Sequence, residues 1–404
     1  MKESKVNSKK SILLPSSWRR TKLGNICSKI TDGEHQTPKR ADSGVLLLSA
    51  RNITNGKLRL DEVDYIPEAE YERISKRITP QAGDVLISCS GSIGRICLVP
   101  EGLRFSMVRS VAIVRPNHEE LLAEFLYQEL LSDAVQEQMR LAAGQSAQTN
   151  LFQGHITTLA VNIPPLLEQG KIAQILSIWD EAFEKHDALT AAKDRRKQAL
   201  MQQLLSGKKR VKGAAGKWKK MRLGDLAENC SEQNKSKLGT ELLHGVTKAE
   251  GVVPMREHVK GETFHRCKLL EHDWFAYNPM RINIGSIARW QGKKTVMVSG
   301  DYVVFRCFED RLLPAYLDHV RRSWMWESFV TKGGNGSVRI RIYFSDLAEF
   351  TFPCPPIEEQ RKIADILDAC DEEIRLLRRQ REAIDEQKRG LMQRLLTGKI
   401  RVKA

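Results

Sequence analysis

One stretch of this chain is written twice, and the repetition constrains everything around it. Lys197 to Lys212 reads KQALMQQLLSGKKRVK, and Lys388 to Lys403 reads KRGLMQRLLTGKIRVK. Over this shift of 191 positions, Leu200, Met201, Leu204, Leu205, Gly207, Lys208, Arg210, Val211 and Lys212 recur unchanged. The match extends upstream: Pro164-Pro165 returns as Pro355-Pro356, Glu168-Gln169 as Glu359-Gln360, Lys171-Ile172 as Lys362-Ile363, and Asp180 as Asp371. A duplicated unit dictates architecture, because each copy builds the same element and needs the same kind of surface to bury it.

Each copy reads as one long helix. Ile172, Leu176, Trp179, Phe183, His186, Leu200 and Leu204 fall at helical spacing in the first. Ile363, Leu367, Cys370, Ile374, Leu377, Ile384, Leu391 and Leu395 do so in the second. That spacing lays a single apolar stripe along a helix, the seam of a coiled coil. The Pro-Pro pairs mark the entries, since proline is tolerated only in a helix's first turn, and Gly207 and Gly398 suit left-handed caps at the exits. A helix from Glu168 to Leu205 is roughly 57 Å long and too narrow in its stripe to stand alone in water. Its natural partner is its own duplicate, packed antiparallel, since each helix follows its own globule and only that arrangement separates two bulky bodies.

Outside the helices the copies diverge. Trp18 with Leu23-Gly24 opens a segment that Trp218 with Leu223-Gly224 reopens, and the second segment is the shorter. Short β-rich runs fill both: Val45–Leu48, Val85–Ser88 and Val108–Val114, then Trp274–Tyr277, Val296–Ser299 and Tyr302–Arg306, with Gly, Asn, Ser and Asp turns between them. Helices are expected around Glu119–Arg140 and Pro314–Lys332. Gly83 to Gly94 and Asp273 to Ser286 both run from an acidic turn through a strand into a loop carrying Ile-Gly. The fold class is therefore α+β: two mixed α/β globules alternating with two long antiparallel coiled-coil helices, a pseudo-twofold internal repeat.

The net charge of +15 and pI of 9.4 point to a polyanionic partner, nucleic acid first and an anionic membrane surface second, against the plain alternative of a merely basic soluble protein. No stretch approaches the ~20 apolar residues of a membrane span, and MKESKVNSKK lacks a signal-peptide core. The eight cysteines form no CxxC pair and read as reduced thiols of a cytosolic protein. Residues 1–14 read as a disordered basic tail.

Together, Trp18–Gly24 and Trp218–Gly224, the PPxxEQxKIAxIL-like stretches at Pro164 and Pro355, and the LMQxLLxGKxRVK ends resemble the specificity subunit of a type I restriction-modification enzyme. The loops Asp32–Pro38 and Tyr277–Ser286 also look like segments of that family's recognition domains. The resemblance implies target recognition domains at 15–165 and 213–355 and conserved helical regions at 166–212 and 356–404. It implies a non-catalytic subunit that binds a bipartite double-stranded DNA target. Its partners would be two methyltransferase subunits for adenine methylation, joined by motor-nuclease (restriction) subunits in the full complex. Cytoplasmic location follows from that role. Lys208, Lys209, Arg210 and Lys212, with Lys399, Arg401 and Lys403, would lie at helix ends, facing phosphate or the methyltransferase.

No catalytic motif competes. Asn278-Pro279-Met280-Arg281 lacks the second proline and the aromatic with which adenine methyltransferases grip a flipped base. Gly398-Lys399-Ile400 has neither the spacing nor the hydroxyl of a phosphate loop. His258, His265, His272 and Cys267 match no zinc-site spacing, so neither metal nor cofactor is expected. A fused methyltransferase or nuclease is thus the weaker reading, and a coiled-coil DNA-binding adaptor without base specificity remains the alternative. Base edges call for Arg, Asn and Gln, whereas phosphates accept Lys and Ser. In the first globule the DNA-binding candidates are His35, Gln36, Lys39, Arg40, Ser90, Ser92, Arg95, Arg109, Gln145, Gln148 and Asn150. In the second they are Asn278, Arg281, Asn283, Ser286, Arg289, Lys293, Lys294, Arg339 and Arg341. Trp179 and His186 are read as seam residues.

Overall fold

The two Pro-Pro pairs each end a strand and start a helix. In the computed structural model, which describes residues 14–144, 150–235, 238–255, 264–332 and 341–403, the helices span Leu166–Leu205 and Ile357–Leu395. Residues 1–13 of the expected tail therefore lie outside the described residues, as do Gln145, Gln148, His258 and Arg339. Both helices stop the same way. Gly207 and Gly398 take φ of 72° and 70°, and the amides of Lys209 and Ile400 reach back to the carbonyls of Gln203 and Arg394, both at 3.1 Å. Only glycine enters that left-handed cap without strain.

The chain divides into two compact units, Met1–Asp187 with Arg379–Ala404, and Ala188–Arg378. Each long helix supplies one end to each unit. In the first unit Cys27–Asp32, Val111–Pro116, Val85–Ser88 and Ile96–Leu98 form a four-stranded antiparallel sheet. A second sheet joins Asp64–Ile66, Val45–Leu48 and Phe105–Met107. Alternation in the central strands serves two cores at once. Val85 and Ile87 pack on one face with Phe125, Leu126 and the helix residues Ile172 and Leu176. Leu86 packs on the other with Leu48, Phe105 and Ile113. The second unit repeats the sandwich: Phe275 and Tyr277 face Leu317, Leu204 and Leu367, while Ala276 faces Val298 and Val304. A strand buried on both faces must be apolar at every position, which is why both runs are nearly continuous hydrophobes.

The short helices expected around Glu119–Arg140 are Ala123–Leu130 and Asp133–Gly144, and those around Pro314–Lys332 are Pro314–Val320 and Trp324–Lys332. Ser132 and Ser323 cap the breaks, their carbonyl or hydroxyl groups taking part in local turns rather than continuing the helix.

The seam also differs in kind. Ile172, Leu176, Leu395 in one unit and Leu204, Ile363, Leu367 in the other are buried in the globule cores rather than in a bare helix pair. Ile374 is buried as well, while Trp179, Phe183, His186, Leu200, Cys370, Leu377, Ile384 and Leu391 are half-buried. Toward the middle of each helix, ion pairs add to these apolar contacts. Arg381 stacks over Phe183 at 4.0 Å and bonds Asp187 at 3.2 Å, with Lys388 against Asp180. In the second unit Lys193 meets Glu373, Arg378 reaches Asp194 at 3.5 Å, and Lys197 meets Asp371. In both units rising numbers on one helix meet falling numbers on the other, so the helices run antiparallel.

The most conserved-looking letters of the duplication form one repeated joint. Trp18 Nε1 donates to Glu168 at 2.9 Å, and Arg401 forks onto the same carboxylate at 2.6 and 2.8 Å. In the second unit Trp218 Nε1 donates to Glu359 at 2.8 Å and Arg210 forks onto it at 2.7 Å through both Nε and Nη2. Burial pushes the Glu359 carboxyl up, but the bonds from Arg210 and Trp218 carry it below the usual carboxylate range. Gln169 and Gln360 do matching work, each accepting from a globule backbone amide (Leu122 or Leu313) at 2.9 Å and donating to the first proline carbonyl at 2.9 Å. Arg210 and Arg401 are thus committed to the frame, a correction to their expected role at phosphate or partner.

One buried carboxyl breaks the repeat. Glu129, whose counterpart 191 positions on is Val320, accepts from the Asn162 amide at 2.9 Å, and burial pushes its pKa up to about 8. A carboxyl raised on folding lends its full stability below the unfolded value of ~4.3 and loses it as pH climbs through about 8. Relative to Glu129→Gln, the wild type is expected to lose about 3 kcal/mol between pH 6 and 9 in urea unfolding. A constant difference would mean that Glu129 is not buried as a neutral acid.

Candidate nucleic-acid interface

In the first unit several strands end at one edge, and a chain of backbone hydrogen bonds strings their loops together. Glu34 N–H bonds Met107 at 2.8 Å, Arg109 N–H bonds Glu34 at 3.0 Å, Cys89 N–H bonds Ser110 at 2.8 Å, and Leu151 N–H bonds Cys89 at 2.8 Å. Ser90 and Asn150 pair across an isolated bridge. The edge therefore gathers His35, Gln36, Ser90, Ser92, Arg109 and Asn150 from distant parts of the sequence. Arg109, His35, Gln36 and Ser92 are exposed, whereas Ser90 and Asn150 are half-buried.

The His35 loop is held from beneath. Arg77 bonds Asp32 at 3.0 Å and the Gly33 carbonyl at 2.5 Å, and His35 Nε2 lies 3.0 Å from Asp32 Oδ1. Burial pushes Asp32 up, yet the His35 and Arg77 hydrogen bonds outweigh it and bring its pKa below the ordinary value. Gly33 is obligatory here, since a Cβ would sit 2.3 Å from the Met107 carbonyl. Lys39 and Arg40 stand to one side. The Lys39 amide bonds Glu70 at 3.2 Å, and Arg40 lies 3.4 Å from Asp64. Arg95 turns away, half-buried, toward the Ile53 carbonyl at 3.5 Å. Arg51 was missed by sequence reasoning; it pairs with Asp64 at 2.8 Å and its loop docks through Ala50 N–H on Ser110 at 3.0 Å.

The second unit arranges an equivalent edge. Ile342 N–H bonds the Pro279 carbonyl at 3.1 Å, as Leu151 bonds Cys89, which brings Arg341 beside the Asn278–Ser286 loop just as Asn150 sits beside Ser90. Asn278 Oδ1 accepts from Met280 at 2.9 Å and so is spent on the turn. Arg281, Asn283, Met280, Ile284 and Arg341 are exposed, with Lys293 and Lys294 on the loop between the strands Ile287–Arg289 and Val296–Val298, steadied by Trp290 Nε1 on the Lys294 carbonyl at 2.8 Å. Two candidates do not fit a surface role. Ser286 is buried and donates to the Val246 carbonyl at 3.0 Å, and the Arg289 side chain is only 8% exposed. Lys248, exposed and against Gly285, belongs with the loop; its position just after the strand Leu243–Thr247 was the available signal.

Among the described residues one group could present metal-type ligands, His319, Asp368 and Asp371. Asp371 is already shared by Lys197 and Arg322, and Asp368 bonds His319 at 2.8 Å, so the trio is a hydrogen-bonded anchor for the helix. Where thiol shifts are resolved, burial raises the pKa, as for Cys354 to about 11, which leaves no activated nucleophile among them. No helix of the described residues is long and apolar enough to cross a membrane.

Comparison with known proteins gives a consistent result. The model of the type I restriction modification DNA specificity domain matches residues 15–191 and 325–386. A putative type I restriction enzyme MjaX specificity subunit of Methanocaldococcus jannaschii is 24% identical over 432 residues, covering 96% of this chain and 95% of the relative. The EcoBI specificity subunit of Escherichia coli is 26% identical over 166 residues, covering 40% of this chain and 35% of the relative. The solved type I restriction-modification S subunit from M. genitalium superposes with a TM-score of 0.58 at 14% identity, over 97% of this chain and 98% of that one. A chain from a structure of a type I R-M system assembly gives 0.57 at 18% identity, over 96% and 100%. At such identities the structural likeness speaks for the fold.

Proposed function

The chain belongs to the family of type I restriction modification DNA specificity domains, and on that premise we propose that each unit reads one half of a two-part DNA target. The observation that supports this is the contrast between frame and edge. Both units keep the Trp-Glu-Arg joint, the buried Gln and the paired sheets, but they present different side chains at the strand ends, Asn150 against Arg341 and Ser90 against Arg281 among them. A constant frame with variable Arg, Asn and Ser at the strand ends suits direct readout of base edges.

In this reading the segments 15–165 and 213–355 are the recognition domains, and the helical regions 166–212 and 356–404 carry two methyltransferase subunits and, in the full assembly, restriction subunits. The chain itself supplies positioning and no chemistry, and it acts on DNA in the cytoplasm. The adaptor reading without base specificity is not favoured, since the family is one of DNA specificity.

Replacing residues 217–353 with the matching segment of a related subunit is the test. Methylated adenines, mapped in a host carrying the hybrid system, should show one half of the target changed and the other retained. A change in both halves, or in neither, would overturn the division of labour.

A further inference from the structure

The second unit contains a cavity of about 870 Å3 between the Ile282–Gly285 loop and the helices Pro314–Val320 and Trp324–Lys332. Arg289, Arg321, Arg322 and Arg375 line it together with the carboxylates of Asp318, Glu250 and Glu327, so cations are in excess once Lys248 is counted. Arg321 and Arg322 both bond the Asp318 carboxylate, Arg321 at 2.7 Å. One buried carboxylate is thus shared by two guanidiniums, with the third, Arg289, near enough to act on it. Burial lowers the Arg321 pKa, and the like charges of Arg322 and Arg289 lower it further against the pull of Asp318. Arg289 is the least compensated. Its side chain is 8% exposed, its nearest carboxylate is Asp273 at 3.7 Å, and its Nε has no hydrogen-bond acceptor among the described residues.

The duplication shows that the fold does not need these charges. By the 191-residue shift, Asp318, Arg321 and Arg322 correspond to Tyr127, Leu130 and Leu131. By strand register, Arg289 corresponds to Leu98, since Arg289 pairs with Phe275 as Leu98 pairs with Val85. In the first unit all four belong to or pack against the hydrophobic core. A buried ion cluster where a sibling uses hydrocarbon gives little stability in itself, so its retention calls for another cause. A water-accessible cavity lined by several guanidiniums is suited to an oxyanion.

We propose that this cavity is a receptor for a phosphate-class oxyanion, with Arg289 as its deepest donor and Lys248 at its rim. The anion has two chemical sources, a DNA backbone phosphate beside the second edge or a free phosphate-bearing small molecule. Only the first rests on the DNA-reading function proposed above.

Pyrophosphate titrated calorimetrically into the full-length protein, at ionic strength fixed with chloride, tests the site directly. Single-site binding is expected, weakened at least about tenfold by Arg289→Leu, which installs the residue of the first copy. Lys248→Ala, at an exposed position, keeps the test valid if the buried change disturbs folding, and it should weaken binding by about threefold. Undetectable binding over chloride, or equal affinity in all three proteins, overturns the site. A mixed-sequence duplex then separates the sources: competition with pyrophosphate assigns the site to backbone phosphate, and simultaneous binding assigns it to a free anion. A protein that binds pyrophosphate through Arg289 but no DNA would uphold this inference while refuting the DNA reading.

Discussion

Leu367→Asp is expected to cost about 4 kcal/mol or more, whereas Leu376→Asp, further along the same helix, should stay within about 0.5 kcal/mol. The two leucines look alike in sequence but differ in surroundings. Leu367 is fully buried in a core with Leu204, Leu223, Phe275 and Leu317, while Leu376 is 46% exposed. A carboxylate at Leu367 has no donor to meet and must either ionise in hydrocarbon or take up a proton, and the lost leucine burial adds to that cost. Urea unfolding followed by circular dichroism reads both variants on one scale. Similar losses for the two would sink the assignment of Leu367 to the core, because they would measure helix propensity and charge rather than burial. The comparison also probes how the helices are anchored, since Leu367 is in the globule core as much as in the helix pair.

The duplication made the frame legible. Repeated Pro-Pro, Gly and leucine positions gave both helices, their ends and the alternation with globules, because those features depend on local chain properties: φ restriction at proline, left-handed φ at glycine, and apolar periodicity. Strands such as Val85–Ser88 and Phe275–Tyr277 were legible for the same reason. What was not legible depends on which chain segment meets which. Arg210 reads as a surface cation in a KKRVK run until Glu359 and Trp218 are found against it. Ser286 reads as a loop donor until the Val246 carbonyl is found above it. The Arg289 cluster was visible only as scattered letters, and the informative comparison, with Leu98, Tyr127, Leu130 and Leu131, required strand register as well as the sequence shift.

DNA affinity should fall by about a thousandfold between 50 and 200 mM salt, the loss expected when some six phosphates are neutralised and their counterions released. The net charge of +15 already sets aside the guanidiniums matched by internal carboxylates, such as Arg115 on Asp84, Arg210 on Glu359, Arg401 on Glu168 and Arg306 on Glu228. Arg109, Arg281, Lys293, Lys294 and Arg341, by contrast, are exposed at or beside the two edges, and none has an ion pair among the described residues. Lysines on a connecting loop suit phosphates, which need a cation without a fixed direction; arginines beside the Ile-Gly loops suit base edges, which need a fork. Lys293→Ala with Lys294→Ala is therefore expected to weaken binding to every sequence alike and to lower the salt slope by about 2. Arg341→Ala should cost about 1–3 kcal/mol on the preferred target and little on others. Measuring affinity for target and random duplexes across salt separates the two kinds of contact. An affinity flat in salt would remove the electrostatic basis for DNA binding, and a lysine pair that changed target preference rather than slope would move base reading onto the Lys293–Lys294 loop.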